Sequence, residues 1–235
     1  MKHLIIASTS TVFGGEPLDY LLEALSELYK NTDTVLFIPY ARPGGITHDE
    51  YTSKIQVAFS KINKKVVGIH TFKSATQALQ EAKGIYVGGG NTFVLVSQLY
   101  KNNCLNILKD VVLNGVPYLG TSAGSNICGL TMSTTNDMPI VYPPSFKTLG
   151  FVPFNINPHY LDPIEGDTHM GETRETRINE FHHYNTQPVV GLREGSWIEI
   201  KDDTTLLKGP LKAIIFEYKK AAYEMESGSS LKHIK

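Results

Sequence analysis

Short apolar runs alternate with stretches of helical spacing through the first half of the chain, and this alternation restricts the fold more than any other feature. Leu4-Ile5-Ile6-Ala7 reads as a buried strand; beyond a loop containing Gly14-Gly15, Leu18, Leu21, Leu22, Leu25 and Leu28 recur at helical spacing. The unit then repeats. Val35-Leu36-Phe37-Ile38 precedes a helix over about 50–62, and Val66-Val67-Gly68-Ile69 precedes a helix opened by Ser74 with Gln77 as its capping-box partner. Ile85-Tyr86-Val87 leads through Gly88-Gly89-Gly90-Asn91-Thr92 into a helix bearing Phe93, Val94, Val96 and Leu99, and a helix near 105–113 precedes the run Val116-Pro117-Tyr118-Leu119. Strands that are apolar on both faces need helices above and below. The order therefore predicts an α/β three-layer sandwich with a mostly parallel central sheet and a ligand site at the carboxyl ends of its strands.

The pattern changes after about residue 131, where prolines at 139, 143, 144, 153, 158 and 163 break any long helix. Residues 172–181 read as one more helix, while 189–192, 197–200 and 213–218 alternate like strands of a small C-terminal β layer. The residues from Ser227 onward are polar and read as a frayed tail, giving one α/β domain over 1–226 and a tail over 227–235.

With 22 basic and 23 acidic residues and a net charge of -1, the chain has no global field to attract nucleic acid or anionic lipid. Its two cysteines, Cys104 and Cys128, have neither metal-binding nor redox spacing, which fits a reducing, cytoplasmic setting. The N-terminal apolar run is too short for a signal peptide, and no stretch approaches the roughly 18 apolar residues of a membrane span. No partner of either kind is expected.

Gly120-Thr121-Ser122-Ala123-Gly124 stands between an apolar strand and a helical stretch over 125–130, the setting of a nucleophile elbow. Such a bend strains the serine backbone and tolerates only small neighbours, here Gly120, Ala123 and Gly124. Ser122 would stand at the positive end of a helix with the Ala123 amide facing a developing oxyanion. The plain alternative is a small-residue turn feeding a helix. A serine nucleophile needs a base, and among eight histidines His159 is the candidate, because Pro158 stiffens the backbone before it. The base needs an acid to orient it. Asp137, in Thr135-Asn136-Asp137-Met138-Pro139, and Glu194, in Arg193-Glu194-Gly195-Ser196-Trp197, are both open, each with a competing reading as a turn residue. His182 and His183 read as bystanders on a helix.

The triple glycine lacks a third fingerprint glycine where Phe93 stands, and the chain lacks a Gly-Lys-Ser/Thr phosphate loop, so a Gly90 amide fits a second oxyanion donor better than a nucleotide site. No His-Cys-carboxylate pattern points to a metal, and no cofactor is expected. Arg174 and Arg177 could present a guanidinium to a carboxylate, or simply decorate a solvated helix face.

Five segments, taken in order, carry a resemblance: Gly88-Gly89-Gly90-Asn91-Thr92-Phe93, Gly120-Thr121-Ser122-Ala123-Gly124, Thr135-Asn136-Asp137-Met138-Pro139-Ile140-Val141, Ile156-Asn157-Pro158-His159 and Gly171-Glu172-Thr173-Arg174-Glu175. Together they resemble the peptidase E family of α-aspartyl dipeptidases, serine peptidases related to the cyanophycinases. The resemblance implies a fold like that of class I glutamine amidotransferases and metal-free cytoplasmic hydrolysis of dipeptides with an N-terminal aspartate. It implies Ser122 as nucleophile and His159 as base. Glu194 is the preferred acid, with Asp137 shaping the substrate pocket. Gly90 and Ala123 would form the oxyanion hole, and Arg174, with Asn91, would bind substrate. Competing readings are a cyanophycinase-like or isoaspartyl hydrolase and a non-catalytic amidotransferase-like binding module; monomer and homodimer are both open.

Overall fold

The computed structural model describes residues 2–163, 166, 168 and 170–235. Its first half follows the predicted alternation: β1 (His3–Ala7), α1 (Leu22–Leu28), β2 (Thr34–Ile38), α2 (His48–Ser60), β3 (Lys65–Gly68), α3 (Ala75–Glu81), β4 (Ile85–Val87), α4 (Thr92–Lys101), α5 (Cys104–Leu113) and β5 (Tyr118–Thr121). These strands pair in parallel in the order β3-β2-β4-β5-β1. Side chains alternate across the sheet. Leu4, Ile6, Leu36, Ile38, Ile85 and Val87 pack with Leu79, Leu95, Leu99 and Leu108 on one face, while Ile5, Val35, Phe37, Tyr86 and Leu119 pack with Leu25, Ile55 and Phe59 on the other. Helices thus cover both faces, as strands buried on both sides require.

The second half departs from expectation. After the one-turn α6 (Ala123–Asn126) come β6 (Asn155–Pro158), α7 (Arg174–Phe181), β7 (Val189–Leu192), β8 (Trp197–Lys201), β9 (Thr204–Lys208), β10 (Ala213–Phe216) and β11 (Tyr223–Met225). β8, expected in the small β layer, instead pairs antiparallel with β1, and β9, a strand not foreseen, extends the large sheet beyond it. The smaller sheet is ordered β11-β10-β7-β6, and its Ile156, Val190, Leu192 and Ile215 share the core of the α3–α5 face. The reason is pairing: β1 had a free edge, and the Ile198 and Ile200 stripe of β8 fits the same buried face as Leu4 and Ile6.

Two smaller expectations also change. Ser74 caps α3 by accepting from the Gln77 amide, but the reciprocal box forms at α2, where Thr47 and Glu50 satisfy each other's backbone amides. The helix after Ser122 ends at Asn126 rather than running to 130; the Asn126 side chain donates to the Ile156 carbonyl and ties this turn to β6. His182 is the buried cap of α7, its ring bonded to the Gln187 carbonyl, and His183 is exposed.

Residues 227–235, expected to fray, are held against β9. The Leu231 amide donates to the Thr205 carbonyl, and Leu231 and Ile234 are buried. Polar composition hid two anchoring apolar side chains. Ile234→Ala should therefore lower unfolding free energy by about 2–4 kcal/mol in a urea titration, whereas a frayed tail would leave the midpoint unchanged.

Candidate active site

Ser122 leaves β5 with φ 54° and ψ -112°, a conformation that L-residues adopt only under constraint. The constraint is close packing on all sides. A Cβ at Gly120 would lie 2.3 Å from the Gly124 carbonyl oxygen, and one at Gly124 would lie 2.2 Å from that of Val87. The Ser122 amide donates to the Ala7 carbonyl at the end of β1 (3.2 Å), and the Ser122 carbonyl accepts from the Ser125 and Asn126 amides (2.9 Å each). The Ser125 hydroxyl is wedged between the Ala7 and Gly120 carbonyls. The elbow is thereby fixed to β1, β4 and β5 at once.

The glycine turn after β4 lies directly against this serine. A Cβ at Gly89 would come within 2.9 Å of the Ser122 Cβ, and Gly90, at φ +142°, has the Ala41 carbonyl oxygen where its own Cβ would be (2.3 Å). Tyr51 supports the turn from below by donating to the Gly89 carbonyl (3.2 Å). Among the described residues, neither the Gly90 nor the Ala123 amide donates to a backbone carbonyl outside regular elements or to a side chain. Two unspent donors beside a half-buried serine are suited to developing negative charge.

His159 follows β6 and is also left-handed, at φ 54°. Its amide donates to the Ser8 hydroxyl (2.9 Å), which itself donates to the Leu192 carbonyl (2.6 Å). Ser122 and His159 are thus moored to consecutive residues, Ala7 and Ser8. The ring Nδ1 lies 2.6 Å from Glu194 Oε1, and Glu194 sits in the turn that crosses from β7 in one sheet to β8 in the other. Among the described residues no hydrogen bond joins the Ser122 hydroxyl to His159. In unliganded sites such contacts commonly tighten only when substrate enters.

Asp137 occupies a different place. Its Oδ2 accepts from the Thr92 amide (2.7 Å) and from the Thr92 and Thr135 hydroxyls (2.6 and 3.0 Å), at the positive end of α4. Asn91 caps the same helix, accepting from the Val94 amide (3.1 Å) and donating to the Met138 carbonyl (2.9 Å). Both ends of its amide are engaged.

Arg174 begins α7, which Thr173 caps through the Thr176 amide. Burial holds the guanidinium pKa below its usual value, the like charge of Arg177 adds to this, and Asp137 opposes it. Among the described residues Arg174 forms no ion pair. It lines a small cavity of about 50 Å³ with Asn136, Asn157 and Arg177, where the buried Asn157 Oδ1 has no partner. A half-buried guanidinium is chemically suited to an anionic group. A roomier cleft, about 460 Å³, lies around Asn31, Asp33, Thr34 and Lys83, with no serine or histidine in its lining.

Ser8 was invisible in the sequence as a site residue, since a serine ending a strand has no distinguishing pattern. Thr92 and Thr135 were missed likewise. Among the described residues no group of three or more His, Cys, Asp or Glu side chains is arranged to hold a metal ion.

Comparison with known proteins identifies the family of the chain. Residues 4–208 match the model of peptidase family S51. A Drosophila melanogaster protein named "Probable alpha-aspartyl dipeptidase" is 45% identical over 219 residues, covering 92% of this chain and 90% of its own. Peptidase E of Streptomyces coelicolor is 43% identical over 232 residues, covering 99% and 94%. The crystal structure of a peptidase from an acI-B1 Actinobacterium shares the fold, with a TM-score of 0.71 at 14% identity over 98% of this chain and 96% of that one. The chain belongs to peptidase family S51.

Proposed function

We propose that this protein is a serine dipeptidase for peptides with an N-terminal aspartate, acting through Ser122, His159 and Glu194. The observation that carries the reading is the 2.6 Å contact between His159 Nδ1 and Glu194 Oε1, on a histidine moored beside a strained serine elbow. Glu194 accepts a hydrogen bond from Nδ1–H, fixes the tautomer and leaves Nε2 free to take the Ser122 proton. The serine oxygen adds to the peptide carbonyl, whose oxyanion meets the Gly90 and Ala123 amides. His159 then gives its proton to the departing amine, leaving an acyl-serine. Water, deprotonated by the same ring, releases the acid and restores the hydroxyl.

Specificity rests on Arg174. A half-buried guanidinium can grip the aspartyl carboxylate with two parallel hydrogen bonds. Asp137 and Asn91 serve this pocket indirectly by tying the 135–138 segment to α4. The name carried by the Drosophila melanogaster relative points to the same substrate class. No helix among the described residues is long and apolar enough to cross a membrane, and Cys104 and Cys128 are free and buried, which fits action in the cytoplasm.

Ser122→Ala should lower kcat for Asp-Leu on the order of 10⁴- to 10⁶-fold in a steady-state assay. Glu194→Gln should cost on the order of 10⁴-fold, and a larger loss from Asp137→Asn than from Glu194→Gln would reverse the acid assignment. Arg174→Ala should reduce kcat/KM for Asp-Leu on the order of 10²- to 10³-fold while leaving Ala-Leu turnover nearly unchanged. Equal losses on both peptides would remove Arg174 as the selector.

A further inference from the structure

The ladder between β6 and β7 ends at the Pro158–Leu192 pair, yet the two chains stay joined beyond it. Tyr160 donates its amide to the Leu192 carbonyl (3.1 Å), and His159 meets Glu194. One step further, Arg193 makes a two-pronged contact with Asp162, Nε to Oδ2 at 2.7 Å and Nη2 to Oδ1 at 2.6 Å. Arg193 is itself firmly seated. Nη1 donates to the Lys212 carbonyl (2.9 Å), Nη2 to Glu224 (2.9 Å), and the guanidinium lies 5.9 Å from the centroid of the buried Tyr160 ring. Only 14% of the Arg193 side chain is exposed. The Arg193 guanidinium holds the Asp162 carboxyl below its usual pKa, so the pair is fully charged near neutrality.

From these contacts we infer that Asp162 and Arg193 form a latch that positions His159 against Glu194, an inference that rests on the triad reading above. Arg193 is the residue before Glu194, and Asp162 is three residues after His159, so the latch ties together the same two segments that carry the base and its acid. The need for it is local. His159 is a side-chain-bearing residue in left-handed backbone, which its neighbours must impose. On the upstream side the imposition comes from Asn136, which donates to the Pro158 carbonyl (2.6 Å), and from Asn157, which donates to the Thr134 carbonyl (2.8 Å). Downstream, the latch closes the bracket. A two-pronged guanidinium–carboxylate contact suits this task because it fixes direction as well as distance. Asp162 and Arg193 touch no reacting atom; they are positioning residues.

The test is a cycle of Asp162→Asn, Asp162→Glu and Glu194→Gln on the full chain, with Asp-Leu kinetics and the low-field proton resonance of a carboxylate-bonded imidazole Nδ1–H. Asp162→Asn should lower kcat on the order of tenfold to a hundredfold with KM changed less than about twofold, and Asp162→Glu should recover most of the loss. Asp162→Asn should broaden or abolish the His159 resonance without moving the thermal midpoint, and should cost little more in the Glu194→Gln background. Wild-type kcat and resonance in Asp162→Asn, or a penalty that multiplies in full with that of Glu194→Gln, would overturn the latch. If Glu194→Gln itself kept wild-type kcat, the triad reading would fall, and the resonance in Asp162→Asn would alone decide the latch.

Discussion

The end of β1 is the point on which the site depends. Its last carbonyl, on Ala7, receives the Ser122 amide, and the next side chain, on Ser8, receives the His159 amide and reaches on to Leu192. β1 lies between β5, which delivers the serine, and β8, which leads back to the Glu194 turn. One strand end therefore sets the serine and the histidine in a common frame, although they are separated in sequence and carried by different sheets. Because these tethers are backbone amides at buried polar partners, loosening one leaves an unmatched donor or acceptor. The frame resists drift for that reason.

The two strained residues, Ser122 and His159, are the parts of the site that the rest of the fold must hold in place. At Ser122 the holding is steric. Gly89, Gly120 and Gly124 each press backbone or side-chain atoms into the space of a missing Cβ, so the elbow has no room to relax. At His159 the holding is by hydrogen bonds and charge on both flanks, in an opening where a third of the His159 side chain remains exposed, at 34%. Packing thus fixes Ser122, whereas polar contacts fix His159.

The parallel half of the fold was legible because its signals are local: apolar runs of strand length, helical spacing, and glycines where β4 and β5 end. Partner choice is not local. Trp197-Ile198-Glu199-Ile200 announces a strand, but nothing in its pattern says that it will close the β1 edge instead of joining β7 and β10. β9 and β11 went unread because Thr204-Thr205-Leu206-Leu207-Lys208 and Tyr223-Glu224-Met225 are short and weakly patterned. The strained bend at Ser122 could be read from its small neighbours, while the candidacy of His159 came from the proline before it and the family motif. The choice between Asp137 and Glu194 could not be read from residue type, because both are acids in turns; the Thr92 and Thr135 hydroxyls that engage Asp137 lie in separate segments. Ser8 and Arg193 act through contacts across long stretches of chain, and such contacts leave no periodic trace.

The proposed chemistry requires that the surroundings of the Ser122 hydroxyl activate it. Reaction of the protein with a serine-directed phosphonate, followed by peptide mass spectrometry, tests this most directly. The expected result is a single phosphonyl adduct on Ser122 that is lost when His159 is replaced by alanine. An unmodified Ser122 after exhaustive treatment, or equal labelling with and without the imidazole, would contradict it.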